Sequence, residues 1–174
     1  MEKLPVSDGI NHILDEVSRK VLAELQQNAR IPFAELGRRV GLSPSAAAER
    51  VRRLEDEGVV KGYHADINPN ALGLTIMAYI RMACDGDKYK IFLNAVKGID
   101  AVRDCCHITG PDALVMRVLV GSVEELEELV MRLLNYGVPT TSVVLSRIFV
   151  RTSYSLEPAK KKHSLSKIIT KDAR

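Results

Sequence analysis

The sequence predicts an α+β fold, with a small helical domain followed by a domain in which strands and helices alternate. Before residue 57, apolar residues recur at helical spacing in three short segments. After residue 73, apolar segments of period two alternate with amphipathic ones. The intervening stretch NPNALG, residues 68–73, is rich in turn-forming residues and marks a linker. At 174 residues the chain can hold two small domains, each with its own core.

Composition restricts the class of protein. Apolar residues make up 46% of the chain, yet no apolar run approaches the roughly 18 residues that a membrane helix needs. The N-terminal stretch MEKLPVSDGINHILDEVSRK lacks the apolar core of a secretory signal. The three cysteines, Cys84, Cys105 and Cys106, are odd in number, which argues against a disulfide framework. We therefore expect a cytoplasmic protein without a membrane partner.

Charge is unevenly distributed along the chain. The net charge is +3, but residues 156–174 alone carry six Lys/Arg against two Asp/Glu. The remainder is close to neutral, so any binding of nucleic acid by the folded part must come from a local patch. Residues 153–174 are predicted to be a basic tail, disordered from residue 155 onward. Its lysines are either a solvated surface or a source of non-specific phosphate contacts.

Three helices are predicted in the first domain, residues 14–65, which follows a weakly patterned N-terminal extension, residues 1–13. The first helix lies in LDEVSRKVLAELQQ, with Asp15 as its N-cap. The second lies in PFAELGRRV and ends at Gly41, because glycine adopts a left-handed turn at little cost. The third begins at once, with Ser43 as its N-cap and a proline in its first position.

The second and third helices form a candidate helix-turn-helix, in which the third helix projects into a DNA major groove. A rotation of 100° per residue places Ala47, Val51, Leu54 and Gly58 on its inward side. The small side chains of its first half allow the helix backbone to come close to the bases in a groove. The carboxylate of Glu49 can accept a hydrogen bond from cytosine. Arginines could bind phosphates or guanine edges, although they could also pair with neighbouring acids on a solvated face. The stretch GVVKGYHADIN, residues 58–68, is predicted to be a short β-hairpin, or wing, that contacts the DNA backbone beside the groove. The predicted DNA-binding residues are Ser43, Ser45, Ala46, Glu49, Arg50 (on the flank of the helix), Arg52, Arg53, Lys61, Tyr63 and His64.

The second domain, residues 74–152, follows a linker at residues 66–73. Its predicted elements are strands at 74–84, 101–109, 113–120 and 140–150, and helices at 87–99 and 122–137. The order β-α-β-β-α-β is that of a ferredoxin-like domain. Both alternating faces of the first strand are mostly apolar, although one face of such a sheet should be polar. We therefore predict that a second copy of the chain covers this face.

Three segments of the chain resemble the signature of the Lrp/AsnC family of transcriptional regulators. They are LD…R.VL..L..NAR, ELGRRVGLS and RVRRLE..GVV.GY.A.IN…LG, and the resemblance extends over about residues 14–152. It implies a regulator that binds double-stranded DNA and carries a ligand-sensing (RAM-type) second domain, with no cofactor. It also implies dimers that pair through the sensing domains and commonly assemble into tetramers of dimers. A small effector, usually an amino acid, would bind between dimers near the turn that joins the second and third strands.

This chain departs from the family at that turn. The usual sequence is Gly-Asp-aromatic-Asp, whereas residues 110–113 read Gly-Pro-Asp-Ala. One acidic group, with turn N–H and hydroxyl groups, would remain to hold an ammonium and a carboxylate. His107 is either a hydrogen-bonded structural residue or a ligand contact, and residues 140–142 either begin the last strand or touch the effector. The predicted effector-binding residues are His107, Thr109, Gly110, Pro111, Asp112, Ala113, Thr140, Thr141 and Ser142.

No catalytic or metal site is predicted. Cys105 and His107 share a strand face that Cys106 does not, and no Cys-x-x-Cys or His-x-x-x-His motif accompanies them. No phosphate-binding loop or nucleophile–base motif is present either. A sequence-specific regulator that responds to a metabolite is the leading hypothesis. A DNA-compacting architectural protein without an effector, and a regulatory subunit of an amino-acid-metabolising enzyme, are the alternatives.

Overall fold

The computed structural model describes residues 14–84 and 86–156, which belong to two compact units. The first, here called the helical unit, contains residues up to His64 together with the segment from Arg151 onward. The second, the sheet unit, contains Ala65–Val150. In the described ranges, no helix is long and apolar enough to cross a membrane.

The helical unit contains three helices with the predicted caps. They are α1 (Glu16–Gln27), α2 (Phe33–Val40) and α3 (Pro44–Asp56). The Asp15 carboxylate accepts a hydrogen bond from the Ser18 amide at 2.7 Å, and the Ser43 hydroxyl accepts one from the Ala46 amide at 3.2 Å. The core contains Ala47, Val51 and Leu54 of the predicted inward side of α3, together with Val21 and Leu36. The prediction is wrong for Gly58, which lies beyond the end of the helix and is exposed.

A glycine in α2 allows the two helices of the motif to meet closely. A Cβ added at Gly37 would lie 2.6 Å from the backbone oxygen of Leu42 in the connecting turn, which is closer than real side chains come. The Leu42 amide donates to the Gly37 carbonyl at 2.8 Å, so the turn folds directly onto this helix. Gly41 ends α2 with φ of 76°, as predicted. The turn geometry therefore depends on the absence of a side chain at residue 37.

The predicted wing is wrong: in the structure, residues 58–68 form no β-hairpin. Alternation around two glycines favours a hairpin, but the first part of the segment bonds back to the helix, with the Val60 amide on the Leu54 carbonyl. Tyr63 also returns to α3, donating its hydroxyl hydrogen to Glu55 at 2.8 Å. Through these contacts the segment packs against α3, and among the described residues it pairs with no strand.

The sheet unit has the predicted β-α-β-β-α-β order. Its elements are β1 (Ile76–Cys84), α4 (Tyr89–Val96), β2 (Val102–His107), β3 (Leu114–Val120), α5 (Val123–Leu133) and β4 (Gly137–Val143). The four strands form one antiparallel sheet in the order β2-β3-β1-β4. This arrangement confirms the ferredoxin-like domain expected from the sequence.

One face of this sheet packs against the helices and forms the core. Ala78, Ile80 and Met82 of β1 are buried there, with Phe92 of α4 and Leu129 of α5. The opposite face, here called the outer face, is mostly apolar on β1, as predicted, but it also carries arginines. On β1 it has Met77, Tyr79 and Ala83 with Arg81, and on β3 it has Val115 and Leu119 with Arg117.

The last strand was predicted at 140–150 but lies at Gly137–Val143, so this prediction is wrong by several residues. Its register explains the difference. Val143 pairs with Ala78 and the Val144 amide donates to Met77, near the start of β1. Beyond Ala78 only Met77 and Ile76 of β1 remain, too few to pair with a strand that continues to residue 150. The next apolar side chains are therefore exposed, and Leu145 and Ile148 retain 96% and 88% of their accessible surface.

The chain returns to the helical unit after the sheet unit. Leu156, predicted to lie in the disordered tail, instead packs against the core of the helical unit, which corrects that prediction for this residue. Residues 1–13 and 157–174, the rest of the predicted extension and tail, lie outside the described residues.

Candidate functional site

The outer side of α3 is the candidate DNA interface. Ser45, Ala46, Glu49, Arg52 and Arg53 are all exposed there, opposite the buried side of the helix. This distribution follows the 3.6-residue period of the helix, since residues three and four apart share a side. The N-terminal half of α3 carries only small side chains up to Ala48. Its surface is therefore narrow where it would enter a groove.

The three arginines of α3 differ in what they contact. Arg50 lies 2.6 Å from the Asp15 carboxylate and 3.2 Å from the hydroxyl of the buried Ser18. Arg52 pairs with Glu49 at 3.2 Å, and both side chains are well exposed. Arg53 forms no ion pair with any of the described residues. The structure thus assigns Arg50 to the junction of α3 with α1, whereas Arg53 is exposed on the outer side of α3.

The Arg50 contact makes the N-terminal cap of α1 part of the candidate interface. The hydrogen bond from the Ser18 amide, together with the Ser18 hydroxyl and Arg50, lowers the pKa of Asp15 to about 2, against partial burial that raises it. Asp15 was predicted only as a cap. Its role in holding α3 has no signal in the sequence, because the two residues are 35 positions apart.

The predicted wing residues lie beside α3 but differ in environment. Burial and the hydrogen bond to Glu55 raise the pKa of Tyr63 to about 12, so its phenol stays neutral. Lys61 and His64 are exposed. Ser43 is exposed too, with its hydroxyl 3.1 Å from that of Ser45. All of these predicted residues belong to the same unit as α3.

The β2–β3 turn is the candidate effector site. Gly110 adopts a φ of 116°, a left-handed conformation that favours glycine, and Thr109 and Pro111 beside it are exposed. The turn closes through a hydrogen bond from Ile108 to Ala113, and the Ala113 amide donates to Met82 of β1. It is therefore fixed to the central strand of the sheet.

An arginine that sequence reasoning omitted lies at the centre of this site. Arg81 Nε is 3.6 Å from the carboxylate of Asp112, whose side chain is only 18% exposed. Arg81 also pairs across the strands with Thr140 of β4, so the two share the outer face. Period-two alternation along β1 already placed Arg81 on the face of Tyr79 and Ala83, which is the signal that could have identified it.

The sheet separates the remaining predicted effector residues. Ser142 pairs with Tyr79 and lies on the outer face with Thr140. Thr141 pairs with the buried Ile80 and faces the helices, where its buried hydroxyl has no hydrogen-bond partner in the described residues. His107 pairs with Leu114 on that same side and hydrogen-bonds the hydroxyl of Tyr89. Asp112, Thr140 and Ser142 can therefore act on one ligand at the outer face, whereas His107 and Thr141 cannot reach it.

The cysteines have the alternation that the sequence predicted. Cys105 is half-buried, and burial raises the pKa of its thiol. Cys106 is exposed and donates weakly to Asp104 at 3.5 Å, and this contact raises the pKa of its thiol. Both thiols therefore stay protonated at neutral pH, which disfavours nucleophilic chemistry. Among the described residues, no three His, Cys, Asp or Glu side chains are grouped to hold a metal.

Comparisons with known proteins agree with this division into two units. Residues 14–55 match a model of the AsnC-type helix-turn-helix domain, and residues 77–154 match a model of the Lrp/AsnC ligand-binding domain. An uncharacterised helix-turn-helix regulator of Bacillus subtilis, YezC, is 40% identical over 76% of this chain and 94% of its own length. The regulator LrpA of Mycobacterium tuberculosis is 36% identical over 84% and 96%. A solved transcriptional regulator of Neisseria meningitidis in complex with L-methionine matches with a TM-score of 0.77 and 30% identity, over 82% of this chain and 97% of that chain.

Proposed function

The chain belongs to the Lrp/AsnC family of transcriptional regulators, and on that premise we propose how its two units divide the work. The helical unit binds a specific site on double-stranded DNA, and the sheet unit binds a small effector, an amino acid, that modulates assembly or DNA affinity. The observation that carries this proposal is the exposed outer side of α3, which has small side chains in its N-terminal half and, further along, Arg53, paired with no acidic side chain among the described residues. Since DNA is the partner, we place the protein in the cytoplasm, without a catalytic role.

On DNA, α3 lies in the major groove. Ser43, Ser45 and Ala46 enter first, because they leave the backbone of the helix closest to the base edges. The exposed Glu49–Arg52 pair is weak in water, so it can open and exchange its partners for bases or phosphates. Arg53 contacts phosphate or a guanine edge. The flanking residues after α3, namely Lys61, Tyr63 and His64, contact the adjacent backbone.

The effector binds at the outer face beside the β2–β3 turn. An amino acid carries a carboxylate and an ammonium group, and Arg81 and Asp112 offer the two opposite charges next to each other. The Arg81 guanidinium accommodates a carboxylate through paired N–H donors, while Asp112 accepts from the ammonium. Thr140 and Ser142 add hydroxyl groups on the same face. The complex of the Neisseria relative with L-methionine supports an amino acid as the class of ligand.

The sheet unit also forms the homodimer. The outer face exposes Tyr79 and half-buried Met77, and the segment after β4 exposes Leu145 and Ile148 almost completely. Exposed apolar side chains on a sheet face and on the segment that follows it are typical of a protein interface. A second copy of the chain covers it, and dimers assemble further, as in tetramers of dimers. A two-fold dimer would bind two half-sites of a palindrome, about one helical turn apart.

DNA selection tests the first half of the proposal. Random double-stranded DNA is selected with the full-length protein, and affinity is then compared between the enriched site and a shuffled sequence of equal length. A specific regulator should favour the enriched site by at least about a thousandfold at physiological salt. Enrichment of no sequence, with equal affinity for both duplexes, would refute a regulator and favour the architectural alternative.

A thermal-shift screen of the twenty amino acids tests the second half. At least one should raise the melting temperature of the wild-type protein, and its carboxamide derivative should bind about tenfold more weakly because it lacks the carboxylate. The Arg81→Met variant should bind the acid and the amide equally, whereas the control Arg103→Met, an exposed arginine on β2, should behave as wild type. If Arg81→Met still discriminates, Arg81 does not bind the carboxylate. If no amino acid shifts the wild type, amino-acid sensing is refuted.

A further inference from the structure

A short segment beyond the sheet unit docks on α1 of the helical unit. This segment, residues 152–156, is here called the C-terminal strap. The carboxamide of Gln26 pairs with the backbone of Tyr154 in both directions: its oxygen accepts from the Tyr154 amide at 2.5 Å, and its nitrogen donates to the Tyr154 carbonyl at 3.2 Å. Arg19 donates to the carbonyl of Leu156 at 2.5 Å. Three side-chain-to-backbone hydrogen bonds therefore fix the strap along one helix.

An apolar contact anchors the end of the strap. Leu156 is half-buried and packs against the core of the helical unit, whose members include Val21 and Leu22 of α1. The side chain of Tyr154, in contrast, is 83% exposed, so this residue binds α1 through its backbone alone. Recognition thus depends on the backbone of residue 154 and on the side chain of residue 156.

The strap meets α1 next to the residues that hold α3. Arg19 directly follows Ser18, and Ser18 and Asp15 are the two residues that bind Arg50 of α3. The first turn of α1 is therefore contacted by the strap through Arg19 and by the DNA-facing helix through Arg50. Ordering of this turn by the strap favours the geometry in which Arg50 holds α3.

The strap follows the sheet unit almost directly in sequence. The helical unit is built from residues on both sides of the sheet unit in sequence, up to His64 and again from Arg151. The sheet unit is thus connected to the helical unit by two covalent links, one of which leads straight into the strap. A ligand or partner that alters the end of the sheet unit acts on the strap through the chain itself.

We propose that the C-terminal strap is a releasable latch that occupies the outer surface of α1 and raises the DNA affinity of the helical unit while it is docked. The proposal rests on the proposed function, because it assumes that α3 binds DNA. Two exposed hydrogen bonds, one part-buried hydrogen bond and one half-buried leucine are a modest set of contacts, so the docked and released states differ little in free energy. An element of this kind can be shifted by effector binding or assembly.

Two substitutions of Tyr154 distinguish the loss of a backbone hydrogen bond of the strap from the loss of an exposed side chain. Tyr154→Pro removes the N–H that donates to Gln26, whereas Tyr154→Ala keeps that N–H and removes only an exposed side chain. Both are made in the full-length protein. Hydrogen exchange is measured for the amides of α1 and α3, and affinity is measured by fluorescence anisotropy on the DNA site selected by the wild-type protein.

Tyr154→Pro should increase exchange in α1 and α3 and weaken DNA binding by about fivefold, while Tyr154→Ala stays within about twofold of wild type. Leu156→Ser should resemble Tyr154→Pro, because it removes the apolar anchor. Equal exchange in the proline and alanine variants would show that the Tyr154 amide does not dock the strap on α1. If Tyr154→Pro increases exchange but leaves DNA affinity unchanged, docking of the strap does not affect DNA binding, and the strap only packs against α1. If the wild type has no selected site, the proposed function fails, and the exchange data still decide whether the strap docks.

Discussion

The two units of the molecule differ in how completely one chain builds them. In the helical unit, a single chain buries Val21, Leu36 and Leu54 completely, and the strap adds a further cover on α1. In the sheet unit, the helices cover one face only, and Leu145 and Ile148 just beyond β4 remain exposed. The core of the unit proposed to contact DNA is thus covered by residues of a single chain. We propose that a second copy of the chain covers the other face of the part that senses a ligand, and assembly is then the step at which an effector can act.

The largest expected effect concerns the exposed segment after β4. The double variant Leu145→Asp, Ile148→Asp should weaken dimerisation by about a hundredfold or more, because two apolar side chains are lost and two charges would be buried. Sedimentation velocity over a range of concentrations measures this. The control Ile91→Asp, Met131→Asp changes two exposed apolar residues on α4 and α5 and should leave the dimer intact. If the wild-type protein stays monomeric at micromolar concentration, the sheet unit does not need a second copy of the chain, and the proposed difference between the two units is refuted.

An intermediate effect is expected in the turn of the helical unit. Gly37→Ala should lower the free energy of unfolding of this unit by about 1–3 kcal/mol, because the new Cβ would lie 2.6 Å from the Leu42 oxygen. Urea unfolding followed by hydrogen exchange resolves the two units. Gly98→Ala is the matched control, since its Cβ would meet its nearest neighbour at an ordinary 3.7 Å. Equal stability of the two variants would show that the turn is looser than described.

The smallest expected effect is a pH dependence confined to the helical unit. The folded pKa of Asp15, about 2, lies below its ordinary value of 3.8. The ionised carboxylate therefore contributes stability above about pH 4, and this contribution is lost as the pH falls toward 2. Because the side chain is 48% exposed, screening limits the effect to less than about 1 kcal/mol.

Asp15→Asn keeps the helix cap but removes the charge that pairs with Arg50. Urea midpoints measured at pH 5 and pH 3 should therefore differ less in this variant than in the wild type. Asp66→Asn, an exposed position in the sheet unit, is the control and should keep the wild-type difference. An equal pH dependence in wild type and Asp15→Asn would mean that the Asp15–Arg50 pair adds nothing to stability.

The features predicted correctly from the sequence are those that local chemistry determines. The caps at Asp15 and Ser43, the left-handed Gly41 and the buried side of α3 all depend on residues within one or two turns of each other. The order of strands and helices likewise followed from the period of the apolar residues. Local signals of this kind do not depend on which segments later meet in space.

The features predicted wrongly, or missed, depend on long-range contacts. Gln26 and Tyr154 are 128 positions apart, so the strap has no local pattern. The apolar and β-branched residues after Val143 favour a longer strand, but only Met77 and Ile76 of β1 lie beyond the last paired residue, Ala78. The effector residues were grouped by their position in sequence, although alternation along β4 sends Thr140 and Thr141 to opposite faces of the sheet. Alternation along β1 places Arg81 on the outer face, and the register of the folded sheet adds that Arg81 lies opposite Thr140.

The most direct test of the central claim is the DNA affinity of Arg53→Ala. This arginine is exposed on α3 and, within the described part of the chain, bound to no carboxylate. Its removal should weaken binding to the selected site by about tenfold at physiological salt without changing the unfolding midpoint. Arg132→Ala, an exposed arginine on α5, is the matched control and should bind DNA as the wild type does. Equal DNA affinity of Arg53→Ala, Arg132→Ala and the wild-type protein would contradict the assignment of the outer side of α3 to DNA.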